Sequence, residues 1–418
     1  MLLWTKDKEM SLRTQSLINS LGSLILMGSQ WLISMALVRL SGYEDAGVFA
    51  LAMSIANVFA TLVNYGMRSY QAADTDYVFL PEHYVFARFI LCCIAVLACS
   101  LYLVIDAYSA QNAVAIMLYL GYSLSFQISD IMMGNLQRVN HLELNGYSNS
   151  LRGLLCLILF ITTEFLTGEL LYALATMGLG SLLILICYDV PIHQRMFSDN
   201  RKNAHELIAA GLKICQRCFY VMLSSIIPIV ITAIPRREIQ RELGEKMLGY
   251  FSSIYTPMVI LNTLIPTLIL ALVPVIALFW KERQMKLLRK KILESYSIVV
   301  LLTLATLLFS KLTGKTFLRL IYGADILPFT TLLYYAVVAI GLNCACVCGS
   351  YILVAFEYRK RVALYAAVSL LIAIVSSKPL IGRIKLYGAA YVLILAYGVQ
   401  VLLQLLTIVP CCRNREKI

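Results

Sequence analysis

The chain has 418 residues, 60% of them hydrophobic and only 14% charged, with a mean hydropathy of +0.79. Soluble domains are nearer half apolar and a quarter charged, so this composition argues against a soluble enzyme, a disordered chain or a secreted disulfide scaffold. The formal charge is nonetheless +12, from 35 Lys and Arg against 23 Asp and Glu. In a soluble protein that excess would suggest nucleic acid; here the question is where the positive residues sit.

A hydrocarbon core about 30 Å thick needs roughly 20 helical residues. Runs free of Asp, Glu, Lys and Arg predict spans at 14–38, 46–67, 89–105 and 107–129. A weaker span follows at 151–166, opened by Arg152 and interrupted by Glu164, and a sixth at 170–188. The remaining runs are 218–235, 247–280, 295–310, 326–356, 362–377 and 386–412. The expectation is an all-α polytopic membrane protein of twelve transmembrane helices. A membrane barrel would instead show alternating segments of about ten residues. The first span is too long for the apolar region of a cleaved signal, and no small-residue cleavage site follows it.

Charge bias tests that count. With the N-terminus inside, inner segments hold 24 Lys and Arg and outer segments 11. This fits the positive-inside rule with both termini cytoplasmic. Dropping the span at 151–166 would place the basic stretches 189–217 and 281–294 outside, so it is retained. The positive excess is thus mostly a topology signal and needs no nucleic-acid partner. The run Lys281–Lys291 is amphipathic and expected to lie on anionic lipid.

The spans divide six and six, giving a bundle over 1–190, a cytoplasmic linker over 191–217 and a second bundle over 218–418. Shifting the second half back by 202 residues pairs Gly47 and Phe49 with Gly249 and Phe251, and Arg39 with Arg241. Duplicated halves around a central site are the usual build of a transporter. Pro257, Pro266 and Pro274 fall in the long run 247–280, with Pro228 in the preceding span. Proline removes a backbone hydrogen bond and kinks a helix, so this region is either a gating helix or simply proline-bearing membrane helix.

The 12 cysteines and four histidines do not read as a metal site. Most cysteines lie in apolar spans, where Cys acts as a small hydrophobe. In Cys344-x-Cys346-x-Cys348 a helix turns the middle residue away from its neighbours, and Cys215-x-x-Cys218 has no second pair. No phosphate loop or catalytic triad order is present, so neither a cofactor nor an ATP-driven pump is expected.

Residues 38–49, Val-Arg-Leu-Ser-Gly-Tyr-Glu-Asp-Ala-Gly-Val-Phe, resemble the junction of the first two helices in Wzx-type polysaccharide flippases. Those belong to the multidrug/oligosaccharidyl-lipid/polysaccharide (MOP) exporter superfamily. Residues 64–74, Asn-Tyr-Gly-Met-Arg-Ser-Tyr-Gln-Ala-Ala-Asp, are similar to that family's cytoplasmic loop after helix two. Leu318 to Gly323, followed by Leu327, resembles its outer loop before helix ten. The motif match covers mainly 38–75 and 317–335.

This resemblance implies two six-helix bundles around a central cavity, MATE-like in build. It implies alternating-access transport of undecaprenyl-diphosphate-linked oligosaccharide repeat units, from inner to outer leaflet of a bacterial cytoplasmic membrane, for O-antigen-like or capsule-like glycan. It implies no enzyme, a lipid-linked substrate, contact with membrane lipids, polysaccharide polymerase machinery as a partner, and function as a monomer. The alternatives are a multidrug/cation antiporter of the same superfamily and a membrane-embedded glycan polymerase, which would need a large outer loop.

Moving a diphosphate across hydrocarbon requires a cationic, hydrated environment. Arginine suits it, because its planar fork binds phosphate bidentately. The candidates are Arg39, Arg68, Arg88, Arg138, Arg152 and Arg217, with Gln71 and Asp74 beside Arg68 for sugar hydroxyls. The alternative role for each arginine is to meet lipid phosphates. Asp130 ends a long apolar run, and an ionisable residue inside a membrane is a functional candidate. It is expected to bind a coupling Na⁺ or H⁺ or to pair with Arg138, unless the span ends at Ser129.

Overall fold

The structure is a computed structural model and describes residues 10–73, 78–197, 204–270 and 272–414. Among these residues all regular structure is helical. In the first half, α1 (Leu12–Leu40) and α2 (Tyr43–Asn64) are followed by a short α3 (Met67–Ala73). Then come α4 (Pro81–Ile105), α5 (Ala110–Arg138), α6 (Glu143–Thr167) and α7 (Leu170–Ile184). A π-helical turn, Leu185–Asp189, joins α7 to α8 (Val190–Phe197). The rest of the chain forms α9 (Ala204–Leu243), α10 (Glu245–Tyr255), α11 (Val259–Leu270) and α12 (Val273–Lys281). It ends with α13 (Met285–Tyr322), α14 (Thr330–Ala355), α15 (Arg359–Ile384) and α16 (Leu386–Asn414).

Eleven of these segments are long and apolar enough to cross a membrane; a twelfth is α9, if its two arms, bent by 53° between Phe219 and Val221, count as one span. Each of the twelve predicted spans falls on one of these segments. The helices, however, outrun the charge-free runs. α4 starts at Pro81, which suits a first helical turn because its missing N–H would be unpaired there anyway. Arg88 therefore stands two turns inside the helix. α6 starts at Glu143, so Arg152 also lies well inside. α13 has 38 residues, about 57 Å at 1.5 Å per residue. The basic stretch Lys286–Lys291 is the beginning of this helix. Between α9 and α10, where a loop was expected, only Gly244 intervenes, with φ of 85°.

The proline-bearing run 247–280 is divided into three helices. A 3₁₀ turn, Thr256–Met258, contains Pro257, and Pro274 stands in the first turn of α12. Pro266 lies within α11 and Pro228 within α9, where the helix continues past both. The bend of α9 precedes Pro228.

The chain forms two compact units. The first comprises the residues up to Leu40 together with Ala52–Ser225, and the second Ser41–Leu51 together with Ile226 onward. In the first, α1 packs along α6 through small residues. A β-carbon at Gly22 would overlap the Gly146 carbonyl, and one at Gly146 the Ile18 carbonyl. Such backbone approach is how helices associate where lipid supplies no hydrophobic drive. In the second, α14 is apolar around its circumference and packs on α11, α12, α13 and α16, as expected for a helix buried on all sides. The same unit contains the crossing of α2 on α10, where Gly47 and Gly249 meet.

Candidate functional site

The first unit carries a connected set of buried polar side chains on α3, α4 and α5. The turn Tyr65–Gly66 ends α2 and starts α3, so Arg68 and Gln71 project from a short helix onto α5. Arg68 donates to Asp130 Oδ1 at 3.1 Å, to the Asp130 carbonyl, and to Gln137 Oε1 at 2.9 Å. Asp130 lies inside α5, as helix continuation past Ser129 required, and its ion-pair partner is Arg68 rather than Arg138. Three residues on from Arg68, Gln71 is fully buried. Its amide donates to the Ile131 carbonyl and to Asn135 Oδ1. Asn135 Nδ2 in turn donates to the Pro81 carbonyl at 3.2 Å and to His193 Nε2 at 2.9 Å. That ring nitrogen therefore accepts, which places the His193 proton on Nδ1.

Arg88 is the anomaly of this set. It is 0% exposed, and Nη1 donates to Gln127 Oε1 at 3.0 Å. Asn64 donates to the same oxygen at 3.3 Å. The Arg88 Nε and Nη2 are buried and have no hydrogen-bond partner among the described residues. Among the described residues no carboxylate forms an ion pair with it; Asp130, the carboxylate that acts on it electrostatically, is engaged by Arg68. A buried charge left uncompensated costs several kcal/mol.

Arg152 differs from Arg88 in having a carboxylate partner, although its Nε and Nη1 are likewise buried without a hydrogen-bond partner among the described residues. It is 0% exposed and donates to Asp189 Oδ2 at 2.8 Å, with Asp189 also 0% exposed. Ser129 donates to the same carboxylate oxygen, and the guanidinium lies 5.4 Å over the Phe126 ring. Asp189 closes the π-helical turn; such turns re-aim a side chain without ending the helix and recur at functional sites. The Arg152 charge is thus neutralised internally.

The remaining predicted residues are more dispersed. Arg138, in the last turn of α5, donates to the Phe79 carbonyl at 3.2 Å and lies 5.6 Å over the Tyr84 ring. Arg217 is exposed, donates to the Tyr70 hydroxyl at 2.6 Å, and lies 5.2 Å over Phe79. Arg39 is exposed in the last turn of α1. Asp74 lies outside the described residues.

In sum, Arg68, Gln71, Arg88 and Asp130 come together, with Arg138 and Arg217 around the adjoining Phe79. Asn64, Gln127, Asn135, Asp189 and His193 were missed by sequence reasoning. Asp189 and His193 fall in the basic stretch 189–217, read as an inner segment because the charge-free run ends at Tyr188. The carboxamides carried no charge to attract notice, and only their i, i+8 recurrence on α5 (Gln127, Asn135) could have flagged them. In the second unit Arg236 was likewise passed over as a loop residue. It lies within α9, half-buried, 5.8 Å over the Tyr255 ring and without a carboxylate partner among the described residues.

No known family model matches the chain, and no curated protein does. Solved structures do. A lipid II flippase, MurJ, in an inward closed conformation aligns with a TM-score of 0.70 at 13% identity, covering 95% of this chain and 87% of that one. An inward-facing multidrug resistance MATE family transporter of the MOP superfamily aligns with a TM-score of 0.63 at 15% identity, covering 96% of each. A MOP superfamily transporter from Pyrococcus furiosus, described as having a binding pocket of reversed polarity, gives 0.54 at 15% identity over 97% and 96%. Over nearly its whole length, this chain has the fold of MOP superfamily transporters.

Proposed function

We propose that the protein is a flippase rather than an enzyme. It translocates undecaprenyl-diphosphate-linked oligosaccharide repeat units from the inner to the outer leaflet of a bacterial cytoplasmic membrane, by alternating access, for O-antigen-like or capsule-like polysaccharide. It works as a monomer, with both termini cytoplasmic, and delivers to a polymerase. The observation that carries this reading is the charge balance of the buried polar set. Asp130 and Asp189 are each matched by an arginine, and Arg88 is left over, fully buried, with two guanidinium nitrogens uncommitted. A surplus buried cation favours a diphosphate and repels a cationic drug. Arg88 supplies the diphosphate contact, Arg68 and Gln71 adjoin it, and Arg138, Arg217 and Arg39 meet the substrate or lipid phosphates on its way. The likeness to a lipid II flippase and to a MOP transporter of reversed pocket polarity supports the same choice over the drug-antiporter alternative.

The test is translocation itself. Deleting the gene leaves lipid-linked repeat units on the inner leaflet and abolishes surface glycan. Arrival of these units at the outer leaflet at the normal rate would refute the assignment.

A further inference from the structure

The second unit contains a small, partly open cavity of about 50 Å³. Its lining mixes apolar side chains (Pro228, Ile231 and Val347) with polar ones (Asn343, Ser350, Tyr397 and Gln400). No Asp, Glu, Lys or Arg lines it. Tyr397 is 2% exposed and its hydroxyl is buried without a partner among the described residues. Outside the lining but bonded to two of its residues, Gln404 is 0% exposed. Its amide nitrogen is fixed by the Ser350 hydroxyl at 3.0 Å and the Cys346 carbonyl at 3.1 Å, while its Oε1 has no partner. Asn343 Nδ2 is committed to Asn262 Oδ1 at 2.7 Å, which leaves the Asn343 carbonyl oxygen free to accept.

Buried donors and acceptors left unmade cost about 1–3 kcal/mol each. Here one such group, the Tyr397 hydroxyl of α16, belongs to a lining residue, beside the side chains of Asn343 and Gln400. They are uncharged, so they select neither a cation nor an anion. They offer a hydroxyl that both donates and accepts, and amide oxygens that accept, beside apolar side chains. A water-sized group needs about 10–15 Å³ of such space, so the cavity holds about four heavy atoms.

We propose that this cavity is a subsite for an uncharged branch of a sugar, an acetamido or hydroxymethyl group, and that it selects repeat units bearing one. An acetamido group fits it best. Its methyl packs on Ile231 and Val347, its carbonyl accepts from Tyr397, and its N–H donates to a carboxamide oxygen. This inference rests on the flippase reading for its biological meaning, but binding at the cavity is measured independently of transport.

The experiment uses the full chain in nanodiscs, with N-acetylglucosamine and glucose as free probes, read by saturation-transfer NMR. The expected result is saturable binding of N-acetylglucosamine with the strongest transfer at the acetyl methyl, and weaker binding of glucose. Val347→Phe, which fills the cavity, abolishes the signal. Tyr397→Phe, which removes one hydroxyl without changing shape, weakens affinity about five- to tenfold. Unchanged binding in both variants, or no saturable binding by the parent protein, overturns the subsite. Saturable sugar binding in a protein that fails to translocate lipid-linked units would instead refute the flippase assignment and leave the subsite standing.

Discussion

Gly47 and Gly249 meet face to face where the first turns of α2 cross α10. A β-carbon on Gly249 would overlap the Tyr43 carbonyl oxygen, and one on Gly47 would overlap the Glu245 carbonyl oxygen. The contact is reciprocal: a shift of 202 residues carries Tyr43 onto Glu245 and Gly47 onto Gly249, so each helix offers the same position to its counterpart. This is the pattern of a two-fold axis. The crossing is flanked by the Tyr43 and Tyr250 rings, tilted by 35° with centroids 4.1 Å apart, and the Tyr43 hydroxyl donates to the Tyr322 carbonyl at 2.8 Å. Any side chain at either glycine must push the helices apart. Gly47→Leu and Gly249→Leu are each expected to destabilise the folded protein by about 1–3 kcal/mol, and to lower transport equally. Thermal unfolding of the purified variants checks this; an unshifted transition in either one removes the glycine crossing as a packing constraint.

Arg88 separates function from stability. An uncompensated buried charge is expensive, and an apolar or neutral residue of similar size removes that cost. Arg88→Met and Arg88→Gln are therefore expected to keep or raise the melting temperature. Both should weaken binding of a short-chain lipid diphosphate about ten- to hundredfold, the range for losing hydrogen bonds to a charged group. Calorimetric binding beside a melting curve decides the matter. Loss of stability with unchanged lipid-diphosphate affinity would make Arg88 a structural residue.

For the Arg152–Asp189 pair the expectation reverses. Removing one member strands the other as a lone buried charge, at about 3–5 kcal/mol. Asp189→Asn or Arg152→Met alone should unfold the protein or cut its yield sharply, while the double variant Arg152→Met with Asp189→Leu regains much of the lost stability. A double variant no more stable than the worse single one would show that Ser129 and Phe126, not the charge match, hold this region.

Twelve spans were legible because a bilayer imposes an apolar length that no soluble core demands. What the sequence hid follows from the same fact. Charges were read as the ends of helices, yet Arg88, Arg152 and Asp130 sit inside α4, α6 and α5, where burial against protein replaces the lipid that would have excluded them. Pairings across elements, such as Arg68 with Asp130 over 62 residues, are set by packing and leave no local trace. The neutral partners Gln127, Asn135 and Gln404 contribute no charge pattern at all. The two glycines did show in the sequence as a match at a shift of 202 residues, though not as a contact.

Asp130 tests how the cationic set is tuned. Its Oδ1 holds Arg68 at 3.1 Å, while Oδ2 is buried without a partner among the described residues. The pair is about one-fifth exposed on each side, so its own contribution to stability is small, about 1 kcal/mol or less. Its larger effect is to compete with any anion for Arg68. Asp130→Asn leaves the carbonyl contact and the Gln137 contact of Arg68 in place while releasing its charge. Lipid-diphosphate affinity is then expected to rise about three- to tenfold, about 0.7–1.4 kcal/mol of recovered Coulomb attraction, with little change in melting temperature. If Asp130 instead carries the coupling ion, the same variant loses its response to a Na⁺ or H⁺ gradient in vesicles whatever its affinity. Measuring both quantities on one preparation separates the roles: tighter binding with an intact gradient response assigns Asp130 to tuning, and unchanged or weaker binding rejects that assignment.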